Sequence, residues 1–536
     1  MSRQKLDSTE NKGFRDPETA GGEAASTGAE SFAREQSTGR PSNGNRHLTS
    51  GRLLAKNTVW NLIGNGAPMV VAVFSIPVLI HGLGKDRFGV LALAWALIGY
   101  ASLFDVGLGR ALTQVVAKKL GTQEEHEIPQ VVWTSLLLML GLGILGAAVM
   151  SSISPWLVHR LLKVPEALQA ETLRSFYWLA VSVPAVIAAA GLRGLLEAHQ
   201  RFDLVTYLRV PMGVFTFLGP LAVLPFSHSL APVVAVLVAG RFVGCGASFW
   251  LCLRVAPELR ERVAWHGPSA GPLLRFGGWM TVTNIVGPLM VTLDRFVIGA
   301  IVSMAAVAYY ATPFDVVTKL LLIPGAVVGV MFPAFTSSFT NDRERAALLY
   351  GRSVKYTLLA LFPIILLITA LAQNGLTLWL GADFAQHSSR VAQWLALGVL
   401  ANSLALIPFS FVQGIGRPDL TAKLHLVELP VYLLMLFWLI RVGGIEGAAI
   451  AWTLRTILDA SALFVLAGRF LPRGSLVSSK ATTLLVAAVV ILALAALPLE
   501  IALKAIFLLV TVVSFAFVGW FVVLTPEERS LGRSFK

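Results

Sequence analysis

Apolar runs of about 20 residues recur from residue 57 almost to the C-terminus, and about 20 residues is what a helix needs to cross a hydrocarbon core of about 30 Å. Fourteen such spans are read, at 57–82, 88–108, 129–151, 173–196, 205–226, 231–253, 277–301, 305–332, 354–374, 391–413, 421–440, 446–467, 481–498 and 503–524. The runs do not alternate apolar with polar, as the strands of a membrane barrel would. Only 14% of the 536 residues are charged, against about 25% in soluble domains. The predicted fold class is therefore an all-α membrane protein. Loops between the spans are short, so sequence neighbours are expected to pack together.

The net charge of +13 raises nucleic acid as a partner, but the placement of the charges argues otherwise. With a cytoplasmic N-terminus, the inside loops and C-tail hold roughly 21 Lys and Arg and the outside loops about 8, the asymmetry of the positive-inside rule. Both termini are then cytoplasmic, and no nucleic-acid partner is expected. Residues 1–52 are rich in Ser, Gly, Glu and Arg with few large apolar side chains. Such a segment reads as a disordered cytoplasmic tail, and it lacks the apolar core of a secretory signal. Cys245 and Cys252 share one apolar segment, too far apart along a helix to bridge, they make no metal motif, and no HxxxH or HExxH pair is present. No Walker A, GxSxG or GxGxxG motif points to an enzyme, and no cofactor is expected.

An internal repeat is visible. GRLLAKNTVWNLIGNGAPMVV (51–71) aligns without gaps on GPLLRFGGWMTVTNIVGPLMV (271–291), including Pro68 on Pro288. The offset covers six spans, so the halves share one orientation about an axis along the membrane normal. The domains predicted are an N-lobe over 53–255, a C-lobe over 266–470 and an added helix pair over 476–526.

Ionisable residues inside these spans are expensive and face the bundle interior, a partner or a water-filled cavity. The bases are Arg110, Arg241, Arg295, Lys319 and Arg455; the acids are Asp105, Asp294, Asp315, Asp459 and, less deep, Glu428. Tyr309, Thr312, Asp315 and Lys319 fall on one helical stripe, with Asp315 four residues before Lys319, the favourable order for a pair. Arg455 and Asp459 have the same spacing in reverse. Arg110 is placed to snorkel toward its helix end. Asp294 and Arg295 are adjacent but diverge by about 100° around a helix. Arg295 instead lines up with Asn284, eleven residues earlier, to within about 20° and about 16 Å apart in depth. Asn61 and Asn65 form a polar stripe on the first span, and Asn402 lies on the tenth. Two readings of these groups stand. The pairs and amides can be structural staples between helices, or they can line a cavity. A cavity bearing Arg295, Arg241, Lys319 and Arg455 suits an anion, because the guanidinium fork fits phosphate.

The residues also carry a family resemblance. The run from RFGGWMTVTNIVGPLMV through LDRFVIG (293–299), VAYYA (307–311) and Pro-Ala-Phe (333–335) resembles the seventh and eighth helices of bacterial polysaccharide transporters. NTVWNLIGNG and the following IPVLIHGLGKDRFGVLALAWALIGYASLFDVGLG resemble their first pair, at Phe88-Gly89 and Asp105-x-Gly107. The resemblance covers about 53–525 and includes a superfamily that also holds multidrug exporters and the peptidoglycan-precursor flippase. It implies two six-helix lobes around a central cavity, two extra helices, and alternating access in the bacterial inner membrane. It implies an undecaprenyl-pyrophosphate-linked oligosaccharide as substrate, H+ or Na+ as coupling ion, and polysaccharide polymerase and synthesis machinery as partners besides membrane lipids. The expected substrate-binding set is Arg295, Arg241, Lys319, Arg455, Asn284, Asn61 and Asn65. The expected coupling or gating set is Asp294, Asp315, Asp459 and Asp105. The competing functions are an ion-coupled multidrug antiporter of the same superfamily and a non-transporting scaffold for polysaccharide synthesis.

Overall fold

The structure is a computed structural model that describes residues 51–100, 108–121, 125–260, 290–472, 479–524 and 529. The chain divides into two units, Met1–Ile63 and Gly64–Lys536. The described part of the first unit is the opening of helix α1 (Gly51–Leu83). The second unit holds α2 (Lys85–Tyr100), α3 (Leu108–Gly121), α4 (Ile128–Trp156), α5 (Glu166–Ala198), α6 (Phe202–Val223) and α7 (Leu230–Val255). Then come α8 (290–301), α9 (Met304–Val317), α10 (Leu322–Asn341), α11 (Arg343–Leu380), α12 (Ala382–Gly414), α13 (Pro418–Gly468), α14 (Ser479–Ala495) and α15 (Ile501–Val518). No strand occurs among the described residues.

Among these residues nine helices are long and apolar enough to cross a membrane. One of them, α13, has 51 residues, about 77 Å of helix, over twice a hydrocarbon core. Gly444 breaks it, with φ 55° and ψ −133° inside the run, a conformation only glycine adopts without strain. Its halves coincide with the spans at 421–440 and 446–467. Pro68–Leu83 and Val486–Ala495 are shorter apolar helices. The second and seventh predicted spans reach past α2 and α8 into residues outside those described.

Local sequence explains the joints. Ser303 starts α9 by accepting the Ala306 N–H at 3.0 Å, and Asp342 starts α11 by accepting the Arg345 N–H at 2.9 Å, as N-caps do. Gly381, at φ 90°, separates α11 from α12. Phe74, Ile144, Leu434 and Leu509 are exposed on the outer surface, which suits a lipid solvent as apolar as they are.

The helices pack in two groups. In the first, α3 and α7 lie on α5, α4 on α5, and α6 on α7. In the second, α10 and α12 lie on α11, and α13 and α9 on α12, with α14 and α15 against α11. The groups meet where α9 packs on α2. Leu91 and Leu93 of α2 share a buried cluster with Ile298, Val307 and Tyr310 of α8 and α9. A Cβ on Gly89 would lie 1.9 Å from the Met304 carbonyl oxygen, so this crossing requires a bare backbone. Close packing of this kind holds helices together in lipid, where apolar burial gives little.

Residues beyond the predicted C-terminal limit of the second span also prove helical. Leu108, Ala111, Leu112 and Val116 of α3 are fully buried although polar residues intervene. A helix with one buried face needs no continuous apolar run.

Candidate functional site

A cavity of about 400 Å³ lies between the two groups. Trp95 and Gly99 of α2 form one wall; Thr292 and Arg295 of α8, Asp315 of α9 and Trp452 of α13 face it. Lys319 and Asn402 are also among the lining residues. Arg295 is 6% exposed. Its Nη1 is 3.4 Å from Asp315 Oδ2, its Nη2 pairs with Asp315 Oδ1, and its guanidinium carbon stands 5.3 Å from the Phe314 ring centre. The fork is held by a carboxylate and backed by an aromatic face, so its orientation is set. Four buried polar atoms of lining residues lack a hydrogen-bond partner: Trp95 Nε1, Thr292 Oγ1, Arg295 Nε and Trp452 Nε1. Leaving such groups unsatisfied costs about 1–3 kcal/mol each, and a ligand rich in acceptors, or water, would recover it.

Asp294 is fully buried. Its Oδ2 accepts the Tyr310 hydroxyl at 2.5 Å and its Oδ1 the Arg295 backbone N–H at 2.8 Å. It ties α8 to α9 and turns away from the cavity, the divergence from Arg295 predicted by helical geometry.

Two predicted pairs do not form. Asp315 binds Arg295 across helices, and Lys319 has no ion-pair partner among the described residues. The helix gives way after Val317 to a 3-10 turn over Thr318–Leu321, so the α-helical register that would have joined Asp315 to Lys319 is lost. Arg455 is 3.4 Å from Glu428, and Asp459 is 3.6 Å from His425. The two halves of α13 supply each other's partners, in place of the pair four residues apart. Neither Arg455 nor Asp459 is among the residues lining the cavity. Arg241 does not line it either; its Nη2 donates to Thr216 Oγ1 at 3.3 Å, between α7 and α6. Asn284, Asp105 and the side chains of Asn61 and Asn65 lie outside the described residues. Arg110 is exposed on α3.

A larger hollow of about 470 Å³ runs from Ile80–Asp86 to Leu380–Phe384. Its polar groups already bind one another. Lys85 Nζ is 2.5 Å from Asp383 Oδ2, Tyr309 donates to the same oxygen at 2.9 Å, and the Tyr309 ring stacks on His387 at 4.5 Å. The Asp383 carboxylate raises the Lys85 pKa above its ordinary value, with Tyr309 contributing next. Nearby, Asp86 Oδ1 accepts the Ala305 N–H at 3.1 Å, and Lys163 donates through Nζ to the Ile301 carbonyl at 2.5 Å. Trp379 Nε1 donates to the Val73 carbonyl at 2.6 Å. This hollow is a seam between the α1–α2 joint and the α11–α12 joint, bridged by these polar contacts. Sequence reasoning singles out neither Lys85 nor Asp383; polar residues beside Gly84 and Gly381 are the signal that could have found them.

The profile described as "Polysaccharide biosynthesis protein" matches residues 79–389. The chain belongs to this family. It is 33% identical over 413 residues to a Shigella flexneri protein named for O-antigen transport, covering 76% of this chain and 96% of that one. Family membership and the run of long apolar helices make it a multi-pass membrane protein. Its fold is that of the MOP superfamily. An inward-facing multidrug resistance MATE family transporter of that superfamily superposes with TM-score 0.65 at 14% identity, over 76% of this chain and 98% of the other. The lipid II flippase MurJ in an inward closed conformation gives TM-score 0.65 at 12% identity, over 86% and 98%. At such identities these two comparisons speak for the fold alone.

Proposed function

We propose that the protein is a flippase that moves a polyprenyl-pyrophosphate-linked oligosaccharide across the bacterial inner membrane for surface polysaccharide synthesis. Two observations and the chemistry of the donors support the reading. The relative named for O-antigen transport shares a third of its residues over nearly its whole length. The cavity between the helix groups carries a buried, oriented guanidinium and donors without partners. Arginine recognises pyrophosphate through paired N–H groups, and indole and hydroxyl donors suit sugar oxygens. Arg295 is the observation that carries the reading. A carrier for organic cations would instead present free carboxylates, and both acids nearest the cavity, Asp294 and Asp315, are engaged.

Two lobes that rock about the cavity give alternating access. The seam at Lys85, Tyr309 and Asp383 would be the outer gate, closed here, and the cavity would load from the cytoplasmic side. An exposed ion pair contributes only about 0–1 kcal/mol, so such a gate opens without a large barrier from that pair. The fourteen-span topology with both termini inside and the lobes at 53–255 and 266–470 are part of this proposal.

The test is Arg295→Ala in the native host. Removing the base leaves Asp315, whose side chain is 41% exposed, so water can take the place of the lost partner and the fold should survive. Polymer should vanish from the surface, lipid-linked repeat units should accumulate on the cytoplasmic face, and the protein should still reach the membrane. Full polymer in that strain would remove Arg295 from the site.

A further inference from the structure

Behind the cavity wall a second polar group joins the two halves of α13. His425 and Glu428 stand on the first half, Arg455 and Asp459 on the second. Arg455 Nη1 is 3.4 Å from Glu428 Oε1 and 3.7 Å from Met290 Sδ on α8, and its guanidinium carbon stands 5.6 Å from the Tyr432 ring centre. His425 Nε2 is 3.6 Å from Asp459 Oδ1, too far for a hydrogen bond, and the imidazole stacks on Phe409 of α12 at 5.6 Å. One donor atom from each of His425, Glu428 and Asp459 lies within 4.8 Å of the others. The Asp459 side chain is 8% exposed and that of Glu428 10%. Asp459 Oδ1 and Glu428 Oε2 have no hydrogen-bond partner among the described residues.

The charges do not balance as they stand. Two carboxylates against one guanidinium leave one negative charge, withdrawn from water, beside an imidazole. A buried uncompensated charge is strongly unfavourable. A divalent metal on these donors would leave one positive charge beside Arg455. A single proton neutralises the group, and it supplies a donor to carboxylate oxygens that have none. Among the described residues the other titratable group that faces the set is Tyr432 on the first half of α13; Asp294 on α8 lies on the far side of Tyr432, already bound to Tyr310.

We propose that His425, Glu428 and Asp459 form a site for one proton, and that its occupancy decides whether Arg455 is held by Glu428 or freed for an anion. A protonated Glu428 no longer attracts the guanidinium. Arg455 lies three residues after Trp452, which lines the cavity, so the two side chains share one side of the helix. Anion binding at Arg455 and proton uptake at the triad are then linked, each favouring the other by the same factor. The identity of the anion as a polyprenyl pyrophosphate rests on the flippase reading; the proton site does not.

The test uses the full chain in lipid nanodiscs and has two arms. In the first, infrared difference spectra are recorded across a pH titration without ligand. A carboxylic-acid band that titrates in wild type and is lost in Glu428→Gln or Asp459→Asn supports the site; a spectrum identical in wild type and both variants overturns it. In the second, farnesyl pyrophosphate is the probe. Wild-type affinity should fall by up to about tenfold per pH unit as pH rises, the slope of one linked proton. Glu428→Gln should bind more tightly than wild type at alkaline pH and with a flat profile. The same pH slope in that variant, or dependence on sodium in place of pH, overturns the linkage. Absence of binding by wild type with the infrared band intact sinks the flippase reading and leaves the proton site standing.

Discussion

The two helix groups treat intramembrane charge differently. In the first, Arg241 stands half-buried between α7 and α6 with one neutral hydroxyl for company. In the second, Arg295 and Arg455 are both buried and both meet carboxylates on other segments. The first group thus holds a base that water must help solvate, and the second holds bases whose partners can be exchanged. A ligand that competes with a carboxylate has something to act on only in the second group. On the proposed reading the binding chemistry sits there, while α2 supplies a wall through Trp95 and Gly99 and a close-packed crossing at Gly89.

That contrast can be broken at graded cost. The largest effect is expected from Asp294→Ala, which strips Tyr310 of its acceptor and leaves Arg295 with one acid fewer nearby. Leaving a buried donor without its acceptor costs about 1–3 kcal/mol, and the space vacated by a fully buried side chain adds a cavity cost. Protein abundance in the membrane and thermal unfolding in detergent should both fall steeply. Asp294→Asn keeps an acceptor for Tyr310 and should fall less. Next comes Gly89→Val, whose added carbons overlap the Met304 carbonyl; it should part α2 from α9, and a cross-link between cysteines placed on those helices should form poorly. Asp315→Ala leaves Arg295 buried without its partner, whereas Arg295→Ala leaves an acid that water reaches. Of this pair the acid's removal should lower the melting temperature more, and the base's removal should stop export with little change in melting. Equal melting shifts would show that Arg295 is a staple. Arg241→Ala removes one hydrogen bond of about 1 kcal/mol, and export should continue; loss of export in that variant would move the site into the first group.

The smallest effect is expected at the seam. Lys85→Ala should change stability by no more than about 1 kcal/mol, read by hydrogen exchange at Gly84 and Gly381. Since Asp383 raises the Lys85 pKa, the pair's contribution is complete at neutral pH and below the ordinary lysine value. It is lost as pH rises through the raised one. Protection factors at these turns, with the base-catalysed intrinsic rate divided out, should therefore fall on the alkaline side in wild type and stay level in Lys85→Ala.

Helices that are apolar all round were legible in the sequence, because hydropathy over about 20 residues needs no tertiary information. So was the divergence of Asp294 from Arg295, which follows from the helical angle alone. Less legible was α3, where Leu108, Ala111, Leu112 and Val116 are spaced along one face between polar residues. The pairings failed for a different reason. Asp315 and Lys319 satisfy a spacing rule that holds only while the helix stays α, and the 3-10 turn ends it. Arg455 and Asp459 satisfy the same rule and find better partners across the bend at Gly444, a choice made by tertiary approach and invisible to spacing. His425 carried no signal in its own segment, since its meaning depends on Asp459, which lies in the other half of the bent helix.

The bidentate hold of Asp315 on Arg295 has a consequence for discrimination. A guanidinium already chelated is closed to any anion that cannot outcompete a carboxylate with two oxygens. Chloride, a single sphere of charge, offers no such geometry. A diphosphate ester presents several oxygens in a plane the fork can accept, and it brings a sugar and a hydrocarbon chain whose contacts accrue elsewhere. On the proposed flippase reading, the internal ion pair would work as a threshold, passing over small anions and yielding to a cargo whose head and body bind together.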